Sequence, residues 1–289
     1  MPELPEVEIV RRRLHSAVVG QLIEDVIVLD PSVCRQEPAE VRRRLVGRRI
    51  AGTARRGKWL IFDLGTVLAV VHLRMTGRLL WRPAAEDQSR QPRFVIELEG
   101  GQRLHFFDVR RFGGLWAVPT AEATAFFSEL GVEPLSEEFT VACLRDLVAG
   151  RRTPLKAFLL DQRRIAGIGN IYADEALFRA RLHPLRPAGS LGPREAARLW
   201  GALRETLQLG IDHEGSSVES FVDPAGARGG FQEILNVYQR TGQPCRVCGA
   251  SIRRVVVGGR GTHYCPRCQP WRSARAERRK APHCTQRGH

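Results

Sequence analysis

Cys245 and Cys248 form one Cys-x-x-Cys pair near the end of the chain, and Cys265 and Cys268 form a second. Four thiolates at this spacing suit a tetrahedral Zn²⁺ site, with two knuckles joined by a short β-hairpin. Both pairs sit in Gly-rich turns rather than at a helix start, which argues against a pair of redox centres. All four positions are cysteine, so no coordination position is open to water or substrate and the expected zinc is structural. The segment between the pairs carries Arg253, Arg254 and Arg260, a basic finger suited to a nucleic-acid backbone. The seven cysteines are an odd number and do not form a disulfide framework, which suits a reducing compartment.

The remainder is long enough, in a chain of 289 residues, for two domains with cores of their own. No apolar run approaches the roughly 20 residues of a membrane span. The acidic N-terminus lacks the basic and apolar regions of a signal peptide, so the expected location is cytoplasmic. Residues from about Pro5 to Val19 read as an amphipathic helix, with Val7, Val10, Leu14 and Val18 at helical spacing. Short apolar segments then alternate with Gly and Pro punctuation: QLIEDVIVLD, RRIAGTARRG, KWLIFDLG, TVLAVVHLRM, RFVIELEGG, RLHFFDV and GGLWAVP. This strand-rich pattern predicts a β-sandwich or barrel. GVEPLSEEF, from Gly131 to Phe139, reads as a linker into a helical region that runs to about Gly210. There Leu199, Leu203 and Leu207 form one apolar stripe, and Thr153 and Pro154 read as cap and first residue of a helix. A polar, Gly-rich stretch follows, too long for a casual connection. The basic tail after Trp271 is poor in apolar residues and predicts disorder.

A formal charge of +14 and a pI near 10.6 point to a polyanionic partner. Only three of the 45 basic residues are lysine: Lys58, Lys156 and Lys280. Arginine is a permanent cation, whereas lysine is a compact ammonium able to exchange a proton. Lys58 and Lys156 are therefore candidate functional residues, Lys156 as a DNA-contacting cation, while Lys280 belongs to the tail. AGIGN is a glycine turn into a helix starting near Asn170, whose amides make an anion site suited to a DNA phosphate. HLRMTG and DVRRFGG place Met75 and Phe112 beside turns and arginines, where a large apolar side chain can wedge into a base stack. Pro5, Glu6 and Glu8 suit a helix start, but that duty does not account for Pro2 and Glu3.

MPELPEVE, RRGKWL, HLRMTG, DVRRFGG, GIGNIYADEALF and the terminal Cys pairs, in this order, resemble the formamidopyrimidine-DNA glycosylase family from Met1 to about Gln269. The resemblance implies a multidomain α+β fold. Residues 1–134 would form a catalytic β-sandwich domain with flanking helices. Residues 135–240 would form a helix–two-turn–helix DNA-binding domain with a lesion-capping loop near 214–230. Residues 241–270 would be a zinc finger with one structural Zn²⁺, and 271–289 the disordered tail. The implied activity is removal of oxidised purines such as 8-oxoguanine and formamidopyrimidines, followed by β,δ-elimination through a proline iminium. The implied partner is double-stranded DNA carrying oxidised bases or abasic sites, handled by a monomer at the nucleoid, with no membrane involved.

By the same resemblance Pro2, freed by loss of Met1, is the nucleophile. An α-amino group has a pKa near 8 against roughly 10.4 for lysine, so about a tenth is unprotonated at pH 7. Glu3 matches the general acid, Glu6 a supporting acidic position, and Lys58 the lysine of β-elimination and phosphate contact. Arg260 matches the arginine of δ-elimination, which as a poor proton donor acts by phosphate binding and charge stabilisation. Arg110, Arg152 and Asn170 match DNA-contact positions, and Met75, Arg110 and Phe112 the wedge that fills the gap left by a flipped nucleotide. Arg93 falls where the family commonly has a DNA-contacting histidine, Arg74 where it has glycine, and Val109 where it has proline. Two other readings fit much of the pattern: an endonuclease VIII-like enzyme for oxidised pyrimidines, and a non-catalytic damaged-DNA binder with Met1 retained.

Overall fold

In the computed structural model, which describes residues 2–83, 91–218 and 221–271, helix α1 (Leu4–Val18) opens the chain. Pro5 sits in its first turn, and Val7, Val10, Leu14 and Val18 are buried on one face. It begins one residue ahead of the expected start at Pro5. Strand β1 (Ile23–Val28), helix α2 (Pro38–Leu45) and strands β2 (Gly52–Arg56), β3 (Trp59–Asp63), β4 (Val67–His72) and β5 (Arg78–Pro83) follow. Strands β6 (Phe94–Leu98), β7 (Gln102–Phe107) and β8 (Gly114–Pro119) complete two four-stranded antiparallel sheets, ordered β1-β6-β7-β5 and β2-β3-β4-β8. Leu60, Phe62 and Val71 of one sheet share a core with Phe94, Ile96, Leu104 and Phe106 of the other. The architecture is the sandwich alternative of the sequence reading. Two of its elements lie outside that reading. Strand β5 follows the Met-Thr-Gly turn with no further punctuation, and α2 buries only Val41 and Leu45 among its charges.

A short helix α3 (Ala123–Phe126) leads to the linker, where Glu133 fastens the two domains. Its carboxylate accepts from Arg55 at 2.8 Å, from Arg56 at 3.0 Å and from the backbone of Gly57. Helices α4 (Val141–Val148), α5 (Leu155–Leu160), α6 (Asn170–Arg179) and α7 (Pro193–Asp212) form the second domain. Leu199, Leu203 and Leu207 are fully buried along α7. Thr153 does not cap α5; the cap is Pro154, because Leu155 instead gives its amide to the carbonyl of Arg186 at 2.7 Å. Strands β9 (Arg253–Val257) and β10 (Arg260–Tyr264) form the hairpin between the cysteine pairs. Among the described residues no helix is long and apolar enough to cross a membrane. The predicted disordered tail, from residue 272 on, lies outside the described residues.

Candidate functional site

The first residues of the chain are pressed into the second domain. Leu4 donates its amide to the carbonyl of Gly167 at 3.0 Å, and Glu3, only 1% exposed, reaches the start of α6. There its carboxylate accepts the amide of Ile171 at 2.9 Å and that of Tyr172 at 3.4 Å. The glycines of AGIGN permit this approach. A Cβ on Gly169 would overlap the Glu3 carboxyl, and one on Gly167, whose φ is +88°, would overlap Leu4. Two amides of this helix start are thus engaged by the Glu3 carboxyl, beside the Asn170 side chain. Burial pushes the Glu3 carboxyl up to about 7, outweighing the Lys58 ammonium and the Ile171 amide that favour its charged form.

Glu6 is buried behind Glu3. It accepts the Glu3 amide at 2.8 Å, the Tyr172 hydroxyl at 2.7 Å and the amide of Ser216 at 2.7 Å. Burial raises its pKa against the pull of these donors. Glu6 therefore joins α1, α6 and the start of the long loop after α7. None of the described residues in that loop lines the cavity in front of Glu3.

That cavity, of about 390 Å³, brings Glu3, Lys58, Met75, Asn170 and Arg260 together across the domain boundary. Lys58 follows Gly57, whose φ of +58° makes the tight turn from β2 to β3. Its ammonium donates to the carbonyl of Ile168 at 3.0 Å, and burial lowers its pKa although Glu3 and Glu6 oppose the shift. Tyr238, His72 and Trp59 are among the lining residues that the sequence reading did not single out. Tyr238 faces Asn170, whose amide nitrogen is 3.5 Å from the tyrosine oxygen. His72 packs edge-on against Trp59, also in the lining, and burial holds the imidazole well below its usual pKa. The histidine that ends β4 and opens HLRMTG was the available signal. Pro2 is buried beside Glu3 and is not among the lining residues.

Two neighbouring loops rim the cleft. Asp108, 2% exposed, accepts from the Thr76 hydroxyl, from the Arg110 amide at 3.2 Å and from the Gly113 amide at 2.7 Å. It ties the Met75 loop to the loop carrying Phe112, which stands 47% exposed with the Arg110 guanidinium 4.6 Å from its ring centroid. Val109 is 77% exposed, so this rim is apolar as well as cationic. Arg74 holds φ at +52°, the left-handed region where glycine is usual. Arg93 donates to the Asp108 carbonyl at 3.0 Å and lies 3.5 Å from Asp30, supporting the same rim.

Arg93, Arg110 and Phe112 belong to this rim and do not line the cavity, and two expected DNA contacts stand apart from both. Arg152 is exposed in the turn before α5 and does not line the cavity. Lys156 is fully buried against Asp174 at 2.5 Å, so it has no surface to offer a phosphate, and its assignment as a DNA contact is withdrawn. Its burial is masked in the sequence because it occupies a core-facing position of a six-residue helix. The sulfurs of Cys245, Cys248, Cys265 and Cys268 all lie within 4.8 Å of one another, two of the separations being 3.8 and 3.4 Å. A ZnS₄ tetrahedron with bonds of about 2.3 Å has edges of about 3.8 Å, so this donor set fits one structural Zn²⁺.

Three family models match the chain in succession. They are the formamidopyrimidine-DNA glycosylase N-terminal domain over residues 1–115, that family's H2TH domain over 130–222, and the zinc finger found in FPG and IleRS over 242–270. The chain is 47% identical over 274 residues to the formamidopyrimidine-DNA glycosylase of Pelotomaculum thermopropionicum, covering 93% of this chain and 99% of that one. It is 45% identical to the enzyme of the same name from Symbiobacterium thermophilum, covering 93% and 90%. Among solved structures it resembles the MutM (FPG) protein of Thermus thermophilus, with a TM-score of 0.83 and 46% identity over 93% of this chain and 98% of that one. It also resembles Lactococcus lactis Fpg in complex with abasic-site DNA, with a TM-score of 0.88 and 34% identity over 93% and 100%.

Proposed function

The chain belongs to the formamidopyrimidine-DNA glycosylase family, a premise from which we propose that it excises oxidised purines from duplex DNA and then cuts the strand by β,δ-elimination through Pro2. The observation that carries this reading is Glu3. It is a carboxyl group next to Pro2, half-protonated near pH 7, at a cavity edged by Lys58 and Arg260. The target nucleotide leaves the stack, and Met75, Arg110 and Phe112 fill the space it vacates.

Removal of Met1 converts the Pro2 nitrogen from an amide to a secondary amine. That nitrogen bonds to C1′ as the bond from C1′ to the base breaks; the electron pair leaves on the base, which takes up the N–H proton that the nitrogen sheds. Glu3 delivers its proton to the sugar ring oxygen, the ring opens, and the nitrogen lone pair completes an iminium. A proline iminium has no N–H proton to lose, so its charge persists as an electron sink. Loss of a C2′ proton expels the 3′-phosphate, a second elimination expels the 5′-phosphate, and water hydrolyses the iminium to free Pro2. Lys58 and Arg260 bind the departing phosphates, and Asn170 orients the backbone beside them. Zinc, held by the four cysteines, supplies no reacting group; it fixes the hairpin that presents Arg260.

We place the loop near 214–230 over the flipped base, with its start anchored on Glu6 through Ser216. The net charge of +14 supports work as a monomer at the nucleoid in the cytoplasm. Duplexes carrying 8-oxoguanine opposite C or A, with 5-hydroxycytosine alongside, test the reading. Faster excision of 8-oxoguanine is expected. Preference for 5-hydroxycytosine would establish the pyrimidine-directed alternative, and binding without cleavage by protein lacking Met1 would leave only a damaged-DNA binder.

A further inference from the structure

Lys156 and Asp174 form the only ion pair among the described residues whose two side chains are both fully buried, and the proposed chemistry does not use it. Asp174 divides its two oxygens. One accepts the Lys156 ammonium at 2.5 Å; the other accepts the backbone amide of His263 at 2.9 Å and lies 3.1 Å from its Nδ1. The ammonium donates again, to the carbonyl of Gly261 at 3.3 Å. Gly261 and His263 belong to β10, whose first residue is Arg260. The pair therefore grips the strand immediately beyond the guanidinium that edges the cavity.

The grip comes from α5 and α6, and α6 is the helix whose first amides hold Glu3. Its next residue, Glu175, accepts the amides of Asn236, Val237 and Tyr238, each at 2.9 Å, and so fixes the segment that brings Tyr238 to the same cavity. One helix thus sets the general acid at its start and the phosphate-binding side one turn later. A buried ion pair is a weak source of net stability, because desolvation offsets the attraction, whereas its directional contacts specify register. Apolar packing is non-directional, and the hairpin tip is Gly258–Gly259, with no side chains to hold it.

We propose that Lys156 and Asp174 are positioning residues that set Arg260 against Glu3 and Lys58, and so govern the second elimination; this rests on the reading of Arg260 given above. The test replaces both partners at once, Lys156→Met with Asp174→Leu, so that no charge is stranded, and follows β- and δ-elimination products on abasic DNA beside Arg260→Ala. The double variant should bind one zinc and retain β-elimination, yet form δ-product at least about tenfold more slowly, as expected when a group is misplaced by about 1 Å. Wild-type δ-elimination in the folded, zinc-loaded double variant, with Arg260→Ala defective, would overturn the proposal alone. Wild-type δ-elimination in both would remove Arg260 from the chemistry and the proposal with it. Hydrogen exchange on the wild-type protein decides the matter if the double variant fails to fold. The His263 amide should exchange as slowly as the centre of α6, and exchange as fast as the hairpin tip would refute the tie.

Discussion

Glu3→Gln isolates the cost of keeping a carboxyl group at the bottom of the cavity. Glu3 moves from an ordinary value of 4.5 in the unfolded chain to about 7 in the fold, chiefly through burial. The folded state then binds the proton more tightly than the unfolded state. Stability is highest where the group is protonated in both, falls as pH rises from 4.5 towards 7, and is lower by a constant amount above that. At about 1.4 kcal/mol per pH unit, this amounts to about 3 kcal/mol. Glutamine carries no charge at any of these values and still accepts the Ile171 amide. The stability advantage of Glu3→Gln over wild type should therefore grow from near zero at pH 4.5 to about 3 kcal/mol at pH 8, read from urea midpoints at four pH values. The same substitution removes the proton donor, so base excision should fall by about 10² to 10⁴. Wild-type excision should decline as pH rises through 7. Parallel stability profiles for the two proteins, or a variant weaker than wild type at pH 8, would refute the reasoning.

Lys58→Arg keeps the charge but not the compact ammonium that donates to Ile168. It should leave the salt dependence of abasic-DNA binding unchanged while slowing excision or elimination by about tenfold or more. Equal single-turnover rates on 8-oxoguanine and abasic DNA would show that position 58 supplies only a positive charge to the departing phosphate, with no need of a compact ammonium. Gly169→Ala puts a Cβ where the Glu3 carboxyl lies, so excision should fall by about 10²-fold while zinc stays bound; an unaltered excision rate would contradict the placement of Glu3. Cys265→Ser should lose zinc and most DNA affinity, as metal analysis and a binding titration would show. Cys34 and Cys143, both outside the cluster, should tolerate serine with no loss of metal.

The parts legible in the sequence are those written in local patterns. Cysteine spacing, the Gly-rich turns and the 3.6-residue stripe of α7 each depend on neighbours a few positions apart. Glu3 was legible as an anomaly ahead of a helix, but its partner was not. The amides it engages are those of Ile171 and Tyr172, far along the chain, and a helix start looks the same whether its anion is a phosphate or a side chain. Lys156 shows the complementary failure. Scarcity of lysine marked it correctly as unusual, yet only three-dimensional packing reveals that Asp174 neutralises it in the core. Asp108, Glu133 and Glu175 went unnoticed for a similar reason. Each makes several hydrogen bonds to backbone amides or arginines of other elements, and an isolated acid carries no sign of the donors that will surround it.

Borohydride trapping on abasic DNA tests the central claim most directly, because it reduces the proposed iminium to a stable amine. Protein with Met1 removed should become covalently joined to the strand, and peptide mapping should place the adduct on Pro2. A form carrying an uncleaved N-terminal extension should give no adduct at all. Trapping that is undiminished in the blocked form, or an adduct mapped to Lys58, would contradict the assignment of Pro2 as the nucleophile.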